Sequence, residues 1–335
     1  MKLLITGING FVGTNLVKAF RDSYTLYGVD IIPDVQDGVV SVDSWSDLNL
    51  APNADVVIHL AGKAHDTKNT SAEKEYFDIN VGLTKRIFDH FLSSEAKKFI
   101  FFSSVKAVAD SVPEEELTEE VIPSPLTPYG KSKLEAERYI LSKPLPDDKR
   151  VYILRPCMIH GPSNKGNLNL LYTLVKKGIP YPLGAFENKR SFLSINNLIY
   201  ILSKIIETTN TNPVTRHASR VTLNASPVTV PSGTYNLADD EPLSTNQLIG
   251  LMAASLNKSE RVWNINPKLI NRFARLGDKF NLPLNSERLK KLTESYVVSN
   301  KKIKTALGIG RLTFTAEQGM RETLRAFRNS ETGEI

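Results

Sequence analysis

The 335-residue sequence predicts an α/β fold, a doubly wound parallel sheet followed by a smaller, mostly helical C-terminal part. Three observations predict it. Short apolar runs alternate with helical stretches through the first half, the pattern of parallel strands covered on both faces. The first run, Lys2-Leu3-Leu4-Ile5-Thr6, passes through the turn Gly7-Ile8-Asn9-Gly10-Phe11-Val12-Gly13 into a helix from Thr14 to Arg21. A second strand, Tyr24 to Val29, ends at Asp30. Strand, glycine turn, helix and a strand-end carboxylate make this a Rossmann-type, dinucleotide-binding arrangement.

Each part of the turn has a task. Gly7 and Gly10 allow a tight bend and a close approach of backbone to phosphates, and Gly13 allows the helix to pack against the strand. The free N–H groups of the helix start face the diphosphate. The spacing is G-x-x-G-x-x-G, one residue longer in the turn than G-x-G-x-x-G. Asp30 accepts hydrogen bonds from both hydroxyls of an adenosine ribose and repels a 2′-phosphate, so the cofactor expected is NAD rather than NADP.

Further along, Val39 to Val42 reads as a strand ending at Asp43, and Asp55 to Leu60 as a buried strand running into Ala61-Gly62. A helical stretch covers Ser71 to Ser93, and Lys98 to Phe102 is an apolar strand that meets Ser103 and Ser104 at its C-terminal end. After a Pro/Glu-rich loop over 113–128, Thr127 is placed to cap a helix from Tyr129 to Leu141, with Pro128 in its first turn. Val151 to Arg155 is the sixth strand and leads into Pro156. Beyond it, Gly161-Pro162, Asn164 to Asn169 and Pro180 to Gly184 read as loops that shape a pocket. A helix from Asn196 to Thr208 precedes an irregular excursion or hairpin over 209–232, and Thr234 to Leu237 returns to the sheet as a strand. From Ser244 onward the pattern is mostly helical, with a last amphipathic helix opening at Thr315. Residues 1–161, with 190–239 returning, therefore form the expected NAD-binding domain, and 162–189 with 240–335 the expected substrate domain.

Composition narrows the function classes. The net charge is +6, but the lysine pairs, such as Lys97-Lys98 and Lys290-Lys291, are scattered and lack interleaved aromatics. They read as solvated faces, and no nucleic-acid partner is expected. A single cysteine, Cys157, excludes an internal disulfide framework and fits a reducing cytoplasm. No run is long and apolar enough for a signal peptide or a membrane span. The five histidines are dispersed without metal-ligand spacing, so no metal is expected; His65, past the Ala-Gly turn, is either a loop residue or one that faces the site.

The chemistry concentrates on three residues. Tyr129 and Lys133 lie four apart on one helix and share a face. A phenol ionises near pH ~10, and a neighbouring ammonium together with a positive nicotinamide favours the phenolate. Ser104, at a strand end, brings a second hydroxyl to the same substrate oxygen. Together they read as a hydride-transfer apparatus. Tyr129 moves the alcohol proton, Ser104 orients and shares it, and Lys133 lowers the phenol pKa and binds the nicotinamide ribose.

The pieces GINGFVG, VDI, HLAGKAH, NVGLTKRI, FIFFSSVKAVAD, TPYGKSKLEAE, ILRPCMIHGP, KGNLNLL, NKRSFLSINNL and YNLADDEPLST stand in one order over most of the chain. In this set the chain resembles the extended short-chain dehydrogenase/reductases of the NAD-dependent sugar epimerase/dehydratase family, its UDP-galactose 4-epimerase branch and surface-polysaccharide relatives in particular. The resemblance implies cofactor contacts from Gly7, Asn9, Gly10, Phe11, Val12, Gly13, Asp30 and Ile31. It places Asp43 and Ser44 at the adenine, and Leu60, Ala61, Gly62, Ser103, Pro156, Tyr129 and Lys133 along the nicotinamide half. Asn80 matches a buried asparagine for which a structural and a functional role stand level. Lys63 and Ser104 are implied at the sugar, and Asn167, Arg190 and Arg288 at the nucleotide diphosphate, a task suited to an amide and guanidinium groups. A homodimer through the helix after Asn80 and the Tyr129 helix is implied as well.

Two departures bear on the reaction. Ser104 is followed by Val105-Lys106-Ala107-Val108-Ala109 where many relatives end in Tyr-Gly, and no Asp-Glu pair follows Ser104 as it does in 4,6-dehydratases. Dehydration is thereby disfavoured. The expected activity is C4 epimerisation of a UDP-hexose or UDP-N-acetylhexosamine, with an NAD(H)-dependent nucleotide-sugar 4-ketoreductase as the alternative.

Overall fold

The computed structural model describes residues 1–45, 54–63, 72–112, 115–164, 166–208, 230–280 and 285–332. Seven strands form one fully parallel sheet: β1 Lys2–Thr6, β2 Thr25–Asp30, β3 Val39–Ser44, β4 Val56–His59, β5 Lys98–Phe102, β6 Arg150–Pro156 and, after the two short strands β7 Met158–His160 and β8 Phe192–Ser194, β9 Gly233–Leu237. Their order is β3-β2-β1-β4-β5-β6-β9, so the direction of winding reverses between β1 and β4. Open α/β sheets bind ligands at such a reversal, outside the strand C-termini.

Strand alternation divides the core in two. Leu3, Ile5, Ile58, Ile100, Phe102 and Leu154 face one side, against Leu16, Val17 and Phe20 of α1 (Phe11–Phe20) and Leu198, Ile201, Leu202 and Ile205 of a later helix, Ile195–Glu207. Leu4, Val57, Phe99, Phe101 and Ile153 face the other, against Ile87, Phe88 and Phe91 of one helix, Thr84–Ser93, and Ala136 and Ile140 of another, Pro128–Ser142. The near-continuous apolar runs of the sequence thus become strands buried on both faces.

The stretch expected to be one helix over Ser71 to Ser93 is three described pieces: α2 Glu73–Tyr76, a π-helical segment Phe77–Leu83, and α3 Thr84–Ser93. Pro128–Ser142 is α4, capped by Thr127, whose hydroxyl accepts from Gly130 N at 3.2 Å. Residues 164–169 are not wholly loop, because α5 spans Asn167–Lys176 and buries Leu168 and Tyr172. Ile195–Glu207 is α6. The helical C-terminal part comprises α7 Thr245–Ser255, α8 Pro267–Phe280, α9 Ser286–Thr293, α10 Lys301–Leu307 and α11 Ala316–Thr332. α5, α7 and α11 share a core of Leu168, Tyr172, Leu248, Met252, Met320 and Leu324. Most of the 209–232 excursion, and His65, lie outside the described residues.

The reading of Lys97-Lys98 as a solvated pair holds for Lys97 only. Lys98 is buried, and its Nζ donates to the carbonyls of Ile205, Ile206 and Thr208 at the C-terminal end of α6. Strand alternation turns the side chain inward, and its long stem carries the charge to the negative end of a helix. Burial still pulls the ammonium down to about 8. Among the described residues no helix is long and apolar enough to cross a membrane.

Candidate functional site

The glycine turn is built as the sequence demands. Gly7 has φ +71, and a Cβ there would lie 2.9 Å from Ala61 N. At Gly13 a Cβ would lie 2.3 Å from the Ile8 carbonyl oxygen, so only glycine lets α1 start this close to β1. α1 has no side-chain cap at Gly10 and no acidic residue in its first turn, which leaves its first N–H groups and positive dipole end for an anion. Asp30 closes the other side of the turn, accepting from Asn9 N at 2.9 Å and Ile31 N at 2.7 Å. Its oxygens keep lone pairs for hydroxyl donors. Asn9 Nδ2 donates to the Ile32 and Asp34 carbonyls and fixes the loop after β2. Asp43 and Ser44 end the neighbouring strand β3, with Ser44 in register beside Asp30. These residues fit the adenosine and diphosphate of NAD.

The loop after β4 is braced by the π-helical segment. The extra residue of a π turn carries Asn80 inward. Its Oδ1 accepts from Lys63 N at 2.7 Å, and its Nδ2 donates to the Lys63 carbonyl at 3.2 Å and to Ser132 Oγ at 2.9 Å. Asn80 thus ties Leu60-Ala61-Gly62-Lys63 to α4, a structural task. The Lys63 side chain pairs with Glu75 at 2.9 Å.

At the end of β5, Ser104 is nearly buried and shares a hydrogen bond with the Tyr129 hydroxyl. Lys133, one turn below Tyr129 on α4, is buried and donates from Nζ to the Phe102 carbonyl at 2.9 Å. The electrostatics differ from the sequence expectation. Tyr129 lies above its ordinary pKa, chiefly through burial, with the Ser104 hydrogen bond opposing. Burial brings Lys133 down to about 8, with Glu137 pulling the other way. The ammonium rests on a backbone carbonyl, and burial, complete for Lys133 and partial for Tyr129, penalises charge on both.

Beneath the site runs a buried ion pair. Arg155 Nε reaches Glu137 Oε1 at 2.9 Å, and Arg155 Nη2 reaches Oε2 at 2.5 Å. Ser103 donates to the same carboxylate, so its hydroxyl turns into this pair and away from the cleft. Pro156 ends β6 above it. Cys157 is buried, and burial raises its thiol well above the ordinary value, as suits a filler rather than a nucleophile.

The residues implied at the diphosphate stand on separate elements. Asn167 is the exposed first residue of α5. Arg190 donates from Nε to the Glu294 carbonyl at 3.3 Å and from Nη2 to the Lys291 carbonyl, while Arg288 lies exposed on α9 itself. Sequence reasoning gave no role to Tyr76, whose ring meets that of Tyr129 edge-on at 6.3 Å. It also passed over Lys106, which donates to the Asp110 carbonyl at 2.9 Å with its Nζ 4.3 Å from the Tyr296 ring centroid. The only signal for Lys106 was its place two residues after Ser104. A cleft of about 470 Å³ between α5 and the Gly178–Pro182 loop holds none of the expected site residues.

His59, at the end of β4, is fully buried between Thr6 Oγ at 2.6 Å and Thr84 Oγ at 3.0 Å. Burial, with Lys133 nearby, lowers it from 6.5 to about 3. It is neutral when folded and charged when unfolded across that window, so its stabilising contribution, complete above 6.5, is lost as pH falls toward about 3. The loss expected is up to about 5 kcal/mol. Urea unfolding between about pH 4 and about pH 7 checks it, since His59→Phe is expected to flatten this slope while lowering stability at neutral pH.

The architecture agrees with that of known proteins. A UDP-glucose 4-epimerase of Vibrio cholerae is 30% identical over 97% of this chain and 95% of its own. The N-acetyl-α-D-glucosaminyl-diphospho-ditrans,octacis-undecaprenol 4-epimerase of Escherichia coli O157:H7 is 27% identical over 76% of this chain and 72% of its own. The crystal structure of UDP-N-acetylglucosamine 4-epimerase from Bacillus cereus superposes with a TM-score of 0.72 at 19% identity, covering 98% of this chain and 99% of that one, a likeness of fold. The model of the NAD dependent epimerase/dehydratase family matches residues 3–218. The chain belongs to that family, and it is an NAD-dependent epimerase of the extended short-chain dehydrogenase/reductase type.

Proposed function

We propose that the enzyme interconverts the C4 epimers of a UDP-hexose or UDP-N-acetylhexosamine through a 4-keto intermediate, working in the cytoplasm. The observation that carries this reading is the Ser104–Tyr129 hydroxyl pair set over Lys133 at the strand ends beside the glycine turn. NAD held at the glycine turn would supply the acceptor for the C4 hydride and the donor that returns it to the opposite face. Tyr129 accepts the O4 proton in the first half and returns it in the second, so one group serves both directions. Ser104 holds the same oxygen. In this reading Lys133 supplies the positive charge that favours the Tyr129 phenolate and a donor for the nicotinamide ribose.

In this reading residues 1–161 with 190–239 hold NAD. Gly7, Asn9, Gly10, Phe11, Val12 and Gly13 cradle the diphosphate, Asp30 and Ile31 the ribose, Asp43 and Ser44 the adenine, and Leu60, Ala61, Gly62 and Pro156 the nicotinamide half. Residues 162–189 and 240–335 hold the sugar nucleotide, with Asn167, Arg190 and Arg288 at its diphosphate and Lys63 beside the sugar. A homodimer through α3 and α4 belongs to the same reading.

The test is incubation of the purified enzyme with UDP-glucose, UDP-galactose, UDP-N-acetylglucosamine and UDP-N-acetylgalactosamine, followed by chromatography and NADH absorbance. Interconversion without net NADH supports the epimerase. NADH consumption on a 4-keto-6-deoxy sugar nucleotide without any interconversion assigns a 4-ketoreductase instead. For the cofactor, Asp30→Asn removes a charged acceptor from the ribose hydroxyls and is expected to weaken NAD binding about tenfold to hundredfold while narrowing the preference over NADP. Titration of both dinucleotides by calorimetry reads this directly.

A further inference from the structure

Helix α8 carries an outward face that the epimerase chemistry leaves unused. Ile270, Ala274 and Gly277 turn inward, the first two packing with Leu183 and Leu289. Leu269, Phe273, Leu276 and Phe280 instead stand 46%, 55%, 47% and 64% exposed. At about 100° per residue these four project from one side of the helix as a continuous ridge. Lys268, Arg272, Arg275 and Lys279, each one position earlier, form a parallel exposed row along its flank. The helix has one carboxylate, Asp278, and it is engaged by Ser286, accepting from N at 2.9 Å and Oγ at 2.5 Å. Trp263, 57% exposed, lies on the segment leading into α8.

We propose that α8 is a membrane-surface helix that docks the enzyme on anionic phospholipid. Large apolar side chains beside a row of cations are what the boundary between acyl chains and negatively charged headgroups accepts. The ridge enters the acyl edge, and the lysine and arginine stems bend so that their charges reach the phosphates. The row of four cations selects an anionic surface over a neutral one. Trp263 supplies an exposed amphipathic ring of the kind enriched at that boundary.

Charge argues against the other occupants. In a two-fold pairing of α8 with its own copy the four cations would approach their equivalents, with the helix's carboxylate already engaged. A phosphate backbone would answer the cations and leave Phe273 and Phe280 in water. Docking by α8 also brings α9, whose Leu289 packs against it, toward the membrane surface.

The experiment is co-sedimentation of the full chain with vesicles of phosphatidylcholine alone and of phosphatidylcholine mixed with phosphatidylglycerol, at low and high salt. The wild type is expected to partition to the anionic vesicles at least about tenfold more strongly than to the neutral ones, and to be released in part by salt. Arg272→Gln/Arg275→Gln is expected to cost about thirtyfold in that partition, and Phe273→Ser/Leu276→Ser at least about tenfold. Both pairs are exposed, so an unchanged thermal midpoint verifies that the fold survives. Wild type that stays in the supernatant with both vesicles overturns the proposal, as does equal binding to both. So does a wild-type oligomer that Phe273→Ser/Leu276→Ser dissolves without vesicle binding, which would assign the ridge to a second copy. No turnover is read, so this result stands apart from that of the epimerase assay.

Discussion

Tyr129→Phe is expected to lose about a thousandfold or more in kcat while NAD affinity changes less than about threefold. The substitution removes one oxygen, the only atom of the side chain able to take and return the O4 proton, and leaves the ring against Tyr76. Ser104→Ala removes a partner of that oxygen, not the proton carrier, and is expected to cost less. Steady-state kinetics together with fluorescence titration of NADH separate the two effects. Retained turnover in Tyr129→Phe would remove Tyr129 from the reaction.

The second large effect concerns the ion pair beneath the site. Glu137→Gln leaves Arg155 buried without a counter-charge and weakens the Ser103 hydrogen bond. Breaking such a pair from one side costs about 3–5 kcal/mol, enough to lower the melting midpoint by about 10 °C. Glu137 also raises the Lys133 pKa against burial, so its loss moves Lys133 below about 8. The alkaline limb of the activity profile is therefore expected to shift toward lower pH. Replacing both members with leucine is expected to recover part of the stability and none of the pH shift. An unchanged midpoint in Glu137→Gln would show that water or relaxation already compensates the pair.

Much of the fold was legible because its signals are local. Strand, glycine turn and helix sit within the first twenty residues, and the apolar runs from Lys98 and Val151 are strands buried on both faces. The start of α5 was not, since Asn164 to Asn169 carry turn-forming residues and only tertiary packing of Leu168 and Tyr172 decides for helix. The π-helical break before α3 leaves no periodic trace in a stretch whose residues all suit a helix. β7 and β8 have three residues each, too few for alternation to register.

For the site, the sequence pointed to Tyr129 and Lys133 by their spacing and to Ser104 by its place at a strand end, and the structure brings the two hydroxyls together. The direction of the Tyr129 shift was not legible, because it depends on how dry the pocket is and on where the Lys133 ammonium rests. The same limit hid Lys98, whose destination at the end of α6 is more than a hundred residues away, and the side chain of Ser103, drawn to a carboxylate on α4. The cationic and apolar rows of α8 are both present in the sequence. Their meaning depends on which face the fold covers.

The proposed mechanism oxidises and re-reduces C4 within one site. It is tested most directly by turning over UDP-galactose carrying deuterium at C4 in the presence of excess unlabelled NAD. The expected result is an epimerised product with the deuterium still at C4, no label in solvent or in the free dinucleotide pool, and no net NADH. Product that has lost the label to solvent, or label accumulating in free NADH, would contradict it.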